Sequence, residues 1–158
     1  QDDLSFLLEG GCGRDYKFVP FARDGAGGVA VIVDDEHIAL IDSEGGAGYI
    51  AETFDDLVNI LLFFGCLPLY GSIFDGYEEF LADYENDDHG YSPSGAVTAF
   101  LESEGLDTDG RNVYERLRRG VSIYPEFRID AVDEYYCDSE NLFGTDEEEF
   151  GEKITPQI

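Results

Sequence analysis

The chain has 158 residues, 43% apolar and 14% aromatic, which is one domain's length with enough material for a real core. Its 36 acidic residues against 9 basic ones leave a formal charge of -27, which repels phosphate backbones and anionic lipid surfaces and argues against nucleic acid or membrane as a direct partner. No apolar run approaches the ~20 residues that span a bilayer; the stretch from Ile60 to Phe64 is bounded by Asn59 and Gly65.

The acidity has two readings, a surface complementary to a very basic partner or general solubility, including adaptation to a salty cytoplasm. Lysine occurs only at Lys17 and Lys153, and four of the seven arginines lie at Arg111, Arg116, Arg118 and Arg119. Cys12, Cys66 and Cys137 are an odd number at wide spacing, which gives neither a disulfide framework nor a zinc pattern and fits a reducing cytoplasm. No signal peptide is apparent. Methionine is absent, and Gln1 is not what removal of an initiator Met ordinarily exposes, so further residues are expected upstream.

The first extended segment runs from Tyr16 to Phe21 and ends in the breakers Arg23-Asp24-Gly25-Ala26-Gly27-Gly28. Val29 to Val33 reads as a buried strand, Asp34-Asp35-Glu36-His37 as a polar turn and Ile38 to Ile41 as the returning strand of an antiparallel hairpin. Thr53 caps a helix in which Phe54, Leu57, Val58, Leu61 and Leu62 form one apolar stripe, Asp55 and Asp56 suit the first turn, and Gly65 is the stop.

A second helix is expected from Ser72 to about Glu85, with Ile73, Tyr77, Phe80, Leu81 and Tyr84 inward and Asp75, Glu78, Glu79 and Asp83 outward. After a loop at 86–90, Ser92-Pro93 starts a third helix through Glu104, placing Val97, Phe100 and Leu101 inward and ending at Gly105. Asp109 caps a short helix holding Val113 and Leu117 inward and stopped by Gly120; Val121, Ile123, Phe127 and Ile129 then suggest a strand interrupted at Pro125. The fold class is therefore α+β, an antiparallel sheet with helices packed on one side, in a single domain over 1–145 followed by an acidic C-terminal tail at 146–158.

The chemistry-bearing patterns resolve into structural roles. Gly25, Gly27 and Ala30 match dinucleotide-loop spacing, but that loop must open a helix and here a β run follows, so turn glycines with positive φ are the expectation. Gly90-Tyr91-Ser92-Pro93-Ser94 lacks the second glycine and the preceding strand of a nucleophile elbow. His37 and His89 both fall in charged, loop-like sequence with no orienting third group and are read as solvated loop histidines. Asp107 to Asn112 puts Arg111 at a calcium-ligand position and serves better as a helix cap. The arginines are expected to pair with the chain's own carboxylates. No catalytic residue, metal ligand or cofactor site follows, and the chain is read as a non-enzyme.

The stretch Phe18-Val19-Pro20-Phe21-Ala22-Arg23-Asp24-Gly25-Ala26-Gly27-Gly28, with Ile38 to Asp42, Ser43-Glu44-Gly45, Ile50-Ala51 and Thr53-Phe54-Asp55-Asp56-Leu57, resembles the SUKH superfamily, which includes fungal cell-wall-assembly regulators. The match covers Phe18 to about Leu62; Asn141-Leu142-Phe143-Gly144 resembles the later part of some bacterial members more loosely. The family's N-terminal helix is not visible before Phe18, and Leu67-Pro68-Leu69-Tyr70 stands where a tryptophan is common. The resemblance implies an α+β fold without catalytic residues and, in bacteria, an immunity protein that binds and inhibits a toxin, often a nuclease. In fungi it implies a regulator acting through protein contacts.

Within that frame Pro20, Phe21, Gly25, Gly27, Gly28, Glu44, Gly45 and Phe54 are expected to be structural. Pro20 and Phe21 serve edge and core, and Phe54 packs with Leu57 between helix and sheet. The expected partner is a cognate toxin or another protein, basic in either case, met in the cytoplasm. Its contacts are expected at Asp75, Glu78, Glu79, Asp83, Asp87 and Asp88, with Tyr91 as an aromatic anchor. A regulatory scaffold binding an endogenous protein is the alternative.

Overall fold

The computed structural model describes residues 16–87, 92–129 and 139–143. Four strands, β1 Phe18–Arg23, β2 Val29–Val33, β3 His37–Ile41 and β4 Gly46–Ala51, form an antiparallel meander, and β5 Glu140–Asn141 joins in parallel beside β4. The β2–β3 hairpin pairs Val29 with Ile41 and Val33 with His37, a register set by the short polar connection at 34–36, since both runs are apolar throughout and both sheet faces are covered. Its tip places Asp34 and Asp35 at φ 53° and 60°, with the Glu36 N–H donating to Val33 O at 3.0 Å.

The other two hairpin turns share one construction. In Asp24-Gly25-Ala26-Gly27-Gly28 the Asp24 carboxylate accepts the N–H groups of Ala26 at 2.9 Å and Gly28 at 2.7 Å. In Asp42-Ser43-Glu44-Gly45-Gly46 the Asp42 carboxylate accepts those of Glu44 at 2.9 Å and Gly46 at 2.7 Å. The fourth residue of each, Gly27 and Gly45, lies at φ +100° and +99°, a region L side chains avoid. The fifth has no room for a Cβ, which would stand 2.5 Å from the aspartate oxygen. Positive φ thus belongs to Gly27 and not to Gly25 or Gly28; Gly28 is needed for space. The shared pattern, Asp-x-x-Gly-Gly, is a repeat too short to stand out in a sequence so rich in acidic residues and glycine.

Helices cover one face of the sheet. On it, Ile38, Leu40 and Ile50 meet Leu57, Ile60 and Phe64 of α1 Phe54–Phe64, and Val113, Tyr114, Leu117 and Val121 of the last helix, all buried. Ile73, Phe80 and Tyr84 extend this core. The opposite face, Val29, Val31, Val33, Ala39, Ala47 and Tyr49, is closed by Phe127 with Ile123, Ile129, Tyr16 and Phe18.

Several expected boundaries move. The helix from Ser72 to Glu85 divides at Gly76, whose φ of +117° no continuous helix can use; a 3-10 turn over Gly71–Phe74 precedes α2 Tyr77–Asn86. The third helix, α3 Gly95–Ser103, is capped by Ser94 rather than Ser92, the Ser94 hydroxyl accepting from the Val97 N–H at 3.2 Å. Asp109 caps α4 Gly110–Val121 as expected, but Gly120 does not stop it: the helix runs through Gly120, which packs on the β4 backbone. The strand expected over 121–129 is absent. Val121 ends α4, and 123–129 pairs with no strand but lies on the second sheet face, where Phe127 is fully buried. The late strand is β5 instead, and Ile129 is tied to Ser139 just before it, with the Ser139 N–H donating to Ile129 O at 2.7 Å.

Candidate interaction surface

The described members of the expected contact set, Asp75, Glu78, Glu79, Asp83 and Asp87, are exposed. Glu79 and Asp83 lie one turn apart, Asp87 follows a turn later, and Asp75 stands just ahead of the helix, all exposed. Glu78 lies on the flank and is neutralised: Arg111 donates to its carboxylate at 2.8 Å while stacking 4.6 Å over the Tyr77 ring. Asp87 accepts the Tyr70 hydroxyl at 2.8 Å. Among the described residues no ion pair reaches Asp75, Glu79 or Asp83. Asp88 and Tyr91 lie outside the described residues.

Three of the four arginines of α4, Arg111, Arg116 and Arg119, pair with carboxylates. Arg116 bridges Asp107, at 2.6 Å, and the nearly buried Asp56. Burial depresses the Arg116 pKa, but the hydrogen bonds and charges of Asp107 and Asp56 outweigh it, so the net shift is upward. Arg119 reaches Glu52 at 3.1 Å. The fully buried Asn59 closes the same joint, donating to Asp107 O and accepting the Asp107 N–H, both at 2.9 Å. Asp107 and Asp109 are therefore a joint and a cap. Sequence inspection had no signal for Asn59, since a polar residue inside an apolar helix is legible only once its partner loop is in place.

His37 stands on β3, half-buried, with Nδ1 3.0 Å from Glu52 O and its ring edge-on to Tyr49, so it is held rather than solvated. Among the described residues no group of three or more His, Cys, Asp and Glu side chains is placed to hold a metal ion, and no helix is long and apolar enough to cross a membrane.

An apolar groove between α1 and α3 was not anticipated. Val58, Leu61 and Leu62 of α1 and Ala96, Val97 and Phe100 of α3 line an open cavity of about 510 Å³. Phe100 and Val97 were expected inside; Leu101 alone of that set is fully buried, and Phe100 is 47% exposed. Likewise α1 does not bury the stripe from Phe54 to Leu62 as a unit. It buries Leu57, Ile60 and Phe64 and leaves Leu61 39% and Phe54 52% exposed. The helix is apolar on both faces, so periodicity alone could not choose the sheet side. Phe54 meets Phe21 edge-to-face at 5.7 Å on the rim of β1; neither ring is in the core. Pro20 occupies the edge strand, where its missing N–H costs no ladder bond. Glu44 and Gly45 belong to the second Asp-x-x-Gly-Gly turn.

No protein-family model, curated protein or solved structure matches the chain.

Proposed function

We propose that the chain is a SUKH-type immunity protein that acts in the cytoplasm by binding a basic toxin and occluding its active or substrate-binding face, without turnover. The observation that carries this reading is that Asp75, Glu79 and Asp83 are exposed and without ion pairs among the described residues, while Arg111, Arg116 and Arg119 are spent on other carboxylates. Exposed like charges that the fold leaves uncompensated cost self-repulsion and are recovered when a cationic surface covers them. The Asp-x-x-Gly-Gly turns and the α+β architecture are consistent with the resemblance, and these carboxylates supply steering of a basic partner.

The test is co-expression with the product of the neighbouring gene, followed by pull-down and a growth assay. A complex that forms at about 0.1 M salt, weakens at about 1 M, and restores growth supports immunity. Glu79→Lys with Asp83→Lys should then lower both capture and rescue. A wild-type chain that neither captures the product nor restores growth sinks the reading and leaves a regulatory scaffold for an endogenous protein.

A further inference from the structure

We propose that the α1/α3 groove is a docking site for the apolar ridge of a lysine- or arginine-bearing amphipathic helix of the partner protein; this rests on the reading of a basic protein partner given above. The groove walls, Val58, Leu61 and Leu62 facing Ala96, Val97 and Phe100, are apolar throughout, and the cavity of about 510 Å³ between them is an open trough. Two facing apolar walls of this kind accept side chains recurring at i, i+3, i+4 and i+7. Water against them is released when the trough is covered, which favours docking.

The charge at the rim decides the occupant's chemistry. Asp55 is exposed one helical turn before Val58, and Glu104 is exposed one turn after Phe100, so a carboxylate stands beside each wall. No ion pair reaches either of them among the described residues. A helix that seats leucine-like residues in the trough and holds cations on its flanks meets both features. With a chain charge of -27, a second copy of this protein brings like charge to the same rim.

The probe is a peptide of about 18 residues with leucines at i, i+3, i+4 and i+7 and lysines between them, compared by fluorescence anisotropy with an isomer of equal composition whose leucines are scattered. The patterned peptide should bind the full chain at least about tenfold tighter than the isomer, and Leu61→Gln and Phe100→Gln should each weaken it about tenfold. Both positions are exposed, so the variants should fold, which circular dichroism checks. Glu79→Gln with Asp83→Asn should affect the two peptides equally.

Equal binding of the two peptides, or Gln variants that bind like wild type, overturns the assignment in favour of charge alone. A wild-type dimer that the Gln variants dissociate overturns it in favour of a second copy. Tighter peptide binding by the full chain carrying Leu4→Gln and Leu7→Gln overturns it in favour of the chain's own first residues. The two proposals fail separately. Capture and rescue undiminished in the Leu61→Gln, Phe100→Gln double variant sink the groove alone, and a wild type that binds the patterned peptide but captures no neighbouring product sinks the toxin reading alone.

Discussion

Gly120 shows how a single residue can mean the opposite of its propensity. In an exposed helix, Gly→Ala gains about 1 kcal/mol. Here a Cβ at 120 would stand 2.5 Å from Ala51 Cα and 2.6 Å from Ile50 O, which are backbone atoms of β4 and cannot swing aside. Gly120→Ala should therefore lower the unfolding free energy by about 2 to 3 kcal/mol, read from urea midpoints at constant m-value. A stabilised variant would mean that α4 does not sit against β4 as described. Arg116 is the second residue whose role is set by its surroundings. It alone among the described residues faces the nearly buried Asp56, so Arg116→Ala strands a carboxylate that is only 5% exposed. The expected cost is about 2 to 3 kcal/mol, and Arg116→Ala combined with Asp56→Ala should recover part of it. Strict additivity of the two changes would show that the pair is not coupled.

At the scale of elements, α1 carries two apolar faces with different duties, and a pair of substitutions separates them. Leu57→Ala removes a side chain sealed between helix and sheet and should cost about 3 kcal/mol, whereas Leu61→Ala, on the groove side, should cost under about 1 kcal/mol. Comparable losses in chemical denaturation would place both faces in the core. The same helix marks the limit of what the residues alone disclose. Its cap at Thr53 and its end at Gly65 are local events, the Thr53 hydroxyl accepting the Asp56 N–H at 3.1 Å, and both were legible. So were the β2–β3 hairpin, whose short polar turn sets its spacing, and the outward acidic face of α2, where a polar stripe opposes an apolar one. Which side of α1 meets the sheet was not legible, because Leu61 and Ile60 are chemically alike and only β3 and β4 distinguish them. The two-residue β5 was hidden for a similar reason: Glu140 and Asn141 have no strand character and pair only because the 123–129 segment brings the chain back beside β4. The groove, built from residues that individually look like core, inherits both difficulties.

For the molecule as a whole, the tyrosines and the net charge act together on its tolerance of alkali. Burial pushes the Tyr49 phenol up from its ordinary 10.0 to about 12, with the nearby Tyr16, Asp34 and Glu36 adding to it. Tyr70 is raised by burial and by its hydrogen bond to Asp87, and Tyr77 and Tyr114 are raised chiefly by burial. Each shift favours the neutral phenol in the folded chain. The stability it contributes is therefore complete below about pH 10, the unfolded value, and is lost as pH rises through the folded one, about 12 for Tyr49. Every phenolate or thiolate formed also adds to a charge of -27, so self-repulsion grows over the same interval. The urea midpoint should hold level from about pH 7 to 9 and then fall steeply between about 10 and 12. About 1 M sodium chloride should reduce the repulsive share of that fall but not the share due to burying a phenolate. Tyr49→Phe keeps the ring against Phe127 and removes the titrating group, so its midpoint should decline less than that of wild type over the same window. If Tyr49→Phe and wild type decline in parallel, and salt abolishes the decline in both, the alkaline limit belongs to surface charge alone and the phenol of Tyr49 is not held from water by the 123–129 segment.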